Sequence, residues 1–483
     1  MNNKFDILII GAGVVGASIA RELSRYQLDI AVIEKEEDVS FGTSKANSGI
    51  IHAGFHSQPG TLKLKLESAG NRMFDQLSRE LGFPFERRGE LMVAFSDDEL
   101  QILHKYYQRA VQNNISGAEL LGRERTLELE PNLNPDILGS LHAPTAGIVG
   151  PYEYCFALME NAASNGVKIF LDNKVMKIFR KGASLEIVTD KGISLSGKFI
   201  VNSAGIYSDE IAKLAGVGDF KILPRKGEEY LLDRRVGGLV RRVIFPVPSE
   251  KSKGLLVIPT VDGPVMVGPT AEDIDSRTDF STTRSGLDAV FKNAQKMVPA
   301  IRATDIITSF VGLRPAATGG DFIIGKTSVK GFINAAGIQS PGLTASPAIA
   351  EMIRDILVDE GLQLKKKDDF CPERTAVSKI RPLVENRDYK TLETLISKDK
   401  NYSKLVCRCE NITEAEIIAA VRSGHTTLDG IKFSARACTG RCQGGFCTSR
   451  ILDIIHRETG IPIEKISKKG KGSEILFYKK GAF

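Results

Sequence analysis

Four groups of residues in this chain have types and spacings that could do chemistry. Gly11, Gly13 and Gly16 stand as G-x-G-x-x-G, with Glu34 about 20 residues on. His52 and His56 lie four apart, in and just beyond the loop DVSFGTSKANSGIIHAGF. Arg314 sits in GLRP and Lys226 in RKGEEY. Five of the seven cysteines fall between Cys407 and Cys447, a clustering that demands a cause. Glycines at this spacing let backbone N–H groups approach phosphates, imidazole titrates near neutrality, guanidinium offers anions a planar fork, and grouped thiolates hold metal.

These groups need elements to position them. Residues 5–34 read as strand, glycine turn, helix and strand, the first strand apolar enough to be buried on both faces. Gly11 makes the tight turn, Gly13 admits a pyrophosphate, and Gly16 lets the helix approach the sheet. Glu34 ends the second strand, where a carboxylate accepts hydrogen bonds from ribose hydroxyls. The motif implies a dinucleotide and by itself leaves FAD and NAD open. The loop after Glu34 is too polar to be core and suits a phosphate or flavin ligand as well as plain surface.

Residues 61–81 carry apolar side chains at helical spacing, and GELMVAF opens a region that reads as an insertion with a helix over 97–113. Residues 167–170, 174–179 and 185–189 alternate like strands of a small sheet. Residues 222–267 hold successive strand-like runs that suit an antiparallel sheet, and 331–350 read again as strand, glycine loop and helix. A stretch near 364–404, with Pro372 and Pro382, reads as a linker holding short helices, and Cys371 in it as a free thiol.

At 483 residues and 42% hydrophobic content the chain is long enough for two or three domains. No run reaches the length of a membrane span, and the first strand begins too early for a signal peptide, so a cytoplasmic location is the expectation. A net charge of +6, spread along the chain, argues against nucleic acid as a partner. Residues 461–483 hold six lysines against two glutamates; they suit a solvated tail or contact with an acidic partner or membrane surface.

The fingerprint, TSKANSGIIHAGF, SFVGLRP and GIQSPGLTAS together resemble the D-amino-acid-oxidase-type superfamily of FAD-dependent oxidoreductases. IHAG, PRKGEEYLLD, VGPTAED and SPGLTAS are most similar to catalytic subunits of anaerobic glycerol-3-phosphate dehydrogenases and to 2-hydroxyglutarate oxidases. The resemblance covers about residues 3–360 and implies FAD, together with a small anionic hydroxy substrate, glycerol 3-phosphate being favoured. The rivals are a 2-hydroxy acid, an amine, and an electron-transfer subunit without a substrate of its own. It implies an α/β and α+β fold: a Rossmann-like FAD-binding domain (1–80, 146–218 and 310–364), an inserted antiparallel-sheet substrate domain (81–145 and 219–309), a linker (365–403), a helical domain (404–460) and a basic tail (461–483).

Carried over by position, the resemblance assigns Gly11, Gly13 and Gly16 to the FAD pyrophosphate and Glu34, with Lys35, to the adenosine side. Thr43, Ser44, Asn47, Ser48 and Gly49 would line pyrophosphate and flavin, Val175 would meet adenine through its backbone, and Ala204 and Gly205 would pass near the pyrophosphate. Gly337, Gly342, Leu343 and Thr344 belong to the flavin end, where backbone N–H groups meet the charge that develops on reduction. His52 is the candidate base, His56 remaining open for that role because relatives often carry an aromatic residue there. Arg314 is the substrate's anion anchor, and Lys226 a weaker anchor for which Arg225 competes. With one fingerprint in the chain, electrons must leave by a route other than a second nucleotide.

Cys407-x-Cys409, a gap of 32 residues and Cys442-x4-Cys447 resemble the helical [2Fe–2S] domain of the bacterioferritin-associated-ferredoxin (BFD) type. The four thiolates are the candidate ligands, Gly444 and Gly445 let backbone approach sulfur, and residues 448–457 form a helix behind them. Four cysteines also suit zinc, although C-x-C is unusual in zinc folds. Cys438 is either a spare thiol or a substitute ligand. Such a module would relay single electrons to a partner, for which a second flavoprotein subunit is the expectation.

Overall fold

The computed structural model describes residues 3–248, 254–375, 377 and 379–476. They fall into two units, Met1–Lys35 with Val39–Arg374, and Glu36–Asp38 with Thr375–Phe483.

The first unit is built on two large sheets. In the eight-stranded sheet the apolar strand Lys4–Ile10 lies between Ile30–Ile33 and Ser194–Asn202, parallel to both. Burial on both faces follows from this central place, and Ile7, Leu8 and Ile9 are fully buried. Helix Val14–Leu23 crosses between the first two strands and buries eight of its ten residues. The glycine loop therefore lies at the carboxyl ends of parallel strands, where open α/β sheets bind ligands. Strand Phe332–Ala336 extends the parallel set beside Ser194–Asn202 and feeds the helix Gly342–Asp359.

The expected small sheet over 167–189 does not exist as one body. Lys168–Phe170 pairs parallel with Ile30–Ile33, whereas Val175–Lys181 and Ser184–Thr189 add antiparallel strands beside Ser194–Asn202 on the other side. Period-two alternation reports that a strand has two different faces; it carries no information about which strand lies next to it.

The nine-stranded sheet joins two distant stretches. Glu90–Ala94 and Gly139–Ala143, from the inserted region, continue through the parallel pair Glu90–Ala94 and Val243–Pro246 into the strands of residues 222–273. Its backbone is the antiparallel pair Ile222–Leu232 and Ile306–Ala317, in one register from Ile222 opposite Ala317 to Leu231 opposite Thr308, after which a one-residue shift sets Leu232 opposite Ile306. The expected boundary at residue 310 falls inside the second of these strands. SFVGLRP, whose glycine and proline suit a strand that turns, runs straight through Pro315, because its partner offers pairing opposite every one of its residues.

The expected linker divides. Residues 365–374 run along the first unit, where Gln27 and Lys367 N–H groups exchange hydrogen bonds with the Lys365 and Arg25 carbonyls. Helices Ile380–Glu385 and Tyr389–Lys398 belong to the second unit. That unit packs helices Glu414–Arg422, Leu428–Ala435 and Thr448–Thr459 on a two-stranded ribbon around Ile417, Ile431, Ile451 and Ile455. Ile466 joins this core at 1% exposure, so the chain past 461 is no free tail there; residues 477–483 lie outside the described residues.

Candidate functional site

The glycine loop has the geometry its spacing requires. Gly11 has φ +106°, and a Cβ there would meet the Ser203 carbonyl at 2.5 Å. A Cβ on Gly16 would strike the Gly11 carbonyl, which is how the helix comes so close to the strand. A Cβ on Gly13 would meet only Ser44 Oγ, at 3.2 Å, so the loop's outer side is open to a ligand. Gly13 brings no capping side chain of its own, and Ser44 Oγ from the polar loop accepts from Val14 N–H at 2.9 Å. Glu34 is held at the loop by the Ala12 N–H, 2.7 Å from Oε2. Lys35 lies over the Tyr207 ring, and Ala204 and Gly205 follow strand Ser194–Asn202 beside the same loop. Val175 is buried at a bulge at the start of its strand.

The polar loop ties the two sheets together. Thr43 Oγ1 donates to the Leu313 carbonyl at 2.7 Å, and Asn47 Oδ1 accepts from Gly49 N–H at 2.8 Å. Gly49, at φ +70°, passes so near Val149 that a Cβ would lie 2.5 Å from its carbonyl. Ser48 Oγ donates to Glu229 Oε1 at 3.1 Å. A Cβ on Gly312 would meet the Ala46 carbonyl at 2.5 Å, so the loop rests on the strand where that strand has no side chain.

His52 follows this loop and meets the third return of the chain. Its N–H donates to Thr344 Oγ1 at 3.0 Å, and Nε2 lies 3.4 Å from Ser340 Oγ, at the start of helix Gly342–Asp359. Leu343 and Thr344 are buried in that first turn, while Gly337, at φ +65°, opens the loop that leads to it. Nδ1 lies 3.6 Å from Oε2 of Glu90, which is fully buried on the inserted strand and accepts from Ala53 N–H through Oε1. His56 joins the same group, its ring 5.8 Å from that of His52 and its ligand atom within 4.8 Å of those of His52 and Glu90, and it packs among Phe55, Tyr106 and Phe245. Of the two histidines, His52 is the one joined to the loop at 340–344.

The strand pair separates the cationic candidates. Side chains alternate in direction, so Arg225, Gly227 and Glu229 share a face with Phe310, Gly312 and Arg314 across the ladder. This is the face on which the polar loop rests. Arg314 folds over Gly227, where a Cβ would lie 3.0 Å from its guanidinium, and donates to the carbonyls of Arg225, Lys226 and Thr270. Burial lowers its pKa to about 10, so it stays cationic at neutral pH. Arg225 is held by both carboxylate oxygens of Asp273. Lys226 points to the opposite face from Arg314 and is paired with Asp279 at 2.9 Å.

The cysteines of the second unit converge. Cys409 and Cys442 sulfurs lie 3.5 Å apart, those of Cys438 and Cys447 3.4 Å apart, and Cys407 is hydrogen-bonded to Cys447. A Cβ on Gly440 would lie 2.4 Å, inside contact, from that of Cys409, and one on Gly444 would lie 3.3 Å from Cys438 Sγ. Glycines thus let the backbone close on the thiols, and helix Thr448–Thr459 starts directly after Cys447. Cys438 is inside the cluster and holds a left-handed φ of +67°, uncommon for a non-glycine residue.

Residue reasoning missed Glu90 and Glu229. Glu229 stood within the quoted RKGEEY, and once that stretch is a strand its alternation with Arg225 is a usable signal. Glu90 had none, since its meeting with His52 depends on how the inserted strand docks.

Residues 6–356 match the FAD dependent oxidoreductase (DAO) family, and residues 405–457 the BFD-like [2Fe-2S] binding domain. The chain is 47% identical over 475 residues to a glycerol 3-phosphate dehydrogenase of Caloramator mitchellensis, covering 98% of each. It is 33% identical to a glycerol 3-phosphate oxidase of Mycoplasma genitalium, over 76% of this chain and 97% of that one. The solved structure of dithionite-reduced L-alpha-glycerophosphate oxidase from Mycoplasma pneumoniae, with FAD bound, superposes with a TM-score of 0.75 at 31% identity, covering 78% of this chain and 100% of the other. The residues fit both groups these matches imply: the open side of Gly13 at a helix start suits a pyrophosphate, and the converging thiols supply the donors of a [2Fe–2S] cluster.

Proposed function

The chain belongs to the FAD-dependent oxidoreductase family and carries a BFD-like [2Fe–2S] domain, and on that premise we propose that it oxidises sn-glycerol 3-phosphate to dihydroxyacetone phosphate. The observation that carries the reading is Arg314: a half-buried cation, bonded to backbone carbonyls rather than to a carboxylate, on the face that meets the polar loop. A planar fork in that setting suits a phosphate monoester.

FAD bound at the glycine loop would supply the hydride acceptor, and a [2Fe–2S] cluster on the thiols a carrier for one electron at a time. The chain's own residues do the rest. Arg314 holds the phosphate and so fixes where the carbinol carbon lies. His52, buried at 6% exposure, takes the hydroxyl proton as the C–H bond gives up its hydride, and Ser340 and Glu90 fix the ring on its two nitrogens. The first turn of Gly342–Asp359, which follows Ser340 beside His52, would offer N–H groups to a flavin bound there. Cys407, Cys409, Cys442 and Cys447 would hold the cluster, which would supply a one-electron path to a partner subunit or a quinone. Among the described residues no helix is long and apolar enough to cross a membrane, so a membrane acceptor would be met at the surface or through the partner.

Anaerobic titration of the purified holoenzyme tests the substrate. Glycerol 3-phosphate should bleach the flavin; bleaching by 2-hydroxyglutarate or an amine instead, or by none of the three, would refute the reading.

A further inference from the structure

Glu229 has no place in the chemistry above, yet it lies in its midst. It is 2% exposed, on the face of the strand pair that carries Arg314, and Ser48 of the polar loop donates to its Oε1 at 3.1 Å. Its Oε2 is buried and has no hydrogen-bond partner among the described residues. Burial pushes the carboxyl up to about 7, with the nearby Arg314 charge pulling the other way. An ordinary counter-ion would be bonded to its cation; here Arg314 gives its hydrogen bonds to carbonyls of Arg225, Lys226 and Thr270. A buried carboxyl oxygen left without a partner is costly unless something polar completes it.

We propose that Glu229 is a specificity-determining residue of the substrate site, its Oε2 taking the hydrogen bond of the substrate hydroxyl that is not oxidised. This rests on the reading of the substrate as a polyol monophosphate. Arg314 and Glu229 then form the two poles of one strand face, a cation for the phosphate and a carboxyl for the hydroxyl end. A hydroxy diacid fitted the same way would press its second carboxylate on Glu229, so the pole selects against it as well as for a hydroxyl. Sites that hydrogen-bond a hydroxyl discriminate strongly against the analogue lacking it, because their own polar group is left unpaired.

The test is a cycle of variants against substrates, read as the anaerobic rate of flavin reduction in the full-length holoenzyme. Wild type, E229Q and E229A are each given glycerol 3-phosphate and 2-hydroxypropyl phosphate, which keeps the phosphate and the oxidised carbinol but lacks the primary hydroxyl. Wild type should prefer glycerol 3-phosphate by roughly 10²-fold or more. E229A should lose most of that preference by slowing on glycerol 3-phosphate alone, with the deoxy analogue changed less than about threefold. E229Q, which keeps shape and hydrogen bonding, should retain part of the preference and gain on 2-hydroxyglutarate. Equal losses on both phosphates would show a purely structural role and overturn the inference, while normal bleaching of wild type left the substrate reading standing. Failure of glycerol 3-phosphate to reduce the wild-type flavin would overturn both. The flavin absorption spectrum of each variant shows that the site has assembled.

Discussion

His52 lies in a glycine-rich loop and Glu90 on an inserted strand, and the fold brings the imidazole and the carboxylate to 3.6 Å. Removing the imidazole as H52N should slow flavin reduction by roughly 10²–10⁴-fold without comparable weakening of substrate binding. E90Q should produce a smaller loss and shift the pH profile of reduction, since the ring would no longer face a carboxylate 3.6 Å away. Stopped-flow reduction across pH separates the two. R314K keeps the charge but loses the fork, and should weaken substrate binding on the order of 10–100-fold. Glu229 also leaves a mark on stability. Its carboxyl titrates near 7 when folded and near 4.5 otherwise, so the unfolded chain loses this proton first. The wild type should therefore lose stability as pH rises from about 4.5 to about 7, by on the order of 3 kcal/mol, and then level off. E229Q lacks that slope, so its Tm should gain on wild type between pH 5 and pH 8. At this scale the fingerprint glycines were legible because a tight turn and a close approach depend on residue type. The face that Lys226 takes was not legible, because a lysine in a motif does not say which way it points.

Among elements, the strand pair Ile222–Leu232 and Ile306–Ala317 does more positioning than any other. The polar loop lies on it at Gly312, within 2.5 Å of where a Cβ would stand. G312V should drive the loop away and lower FAD retention, measured as the ratio of flavin to protein absorbance after gel filtration, while G319V, with nothing within 4 Å, should not cost contacts, though its φ of +96° carries backbone strain. Helices and strands were readable from periodicity, including 61–81, 97–113 and the return at 331–350. Which sheet each strand joins was not, because strand pairing is a long-range outcome that period-two alternation leaves open. The length of the strand through Pro315 was hidden for a similar reason: a proline and a glycine suggested a turn, and pairing overrode them.

For the molecule as a whole, the cysteine spacing was the most legible feature after the fingerprint, since four thiolates in C-x-C and C-x4-C leave little else to do. C407S should remove the low-temperature EPR signal of the reduced cluster, with flavin bleaching by substrate retained and onward transfer to an acceptor lost. C438S distinguishes a spare thiol from a ligand: an unchanged signal means the four assigned cysteines suffice, and altered g-values or iron content mean Cys438 takes part. Less legible were the halves of the linker, which side with different units, and the chain after residue 461, whose lysines concealed a buried Ile466.

The alternation along residues 222–232 also limits how this site can change over generations. Arg225, Gly227 and Glu229 face the polar loop while Lys226 and Glu228 face away, and inserting or deleting one residue upstream within the strand would exchange the two sets at a stroke. Length variation is thus closed to this segment, and new substrate preferences must come through replacements at every second position. The lineage can explore other substrates here only one side chain at a time, with the ladder unchanged beneath.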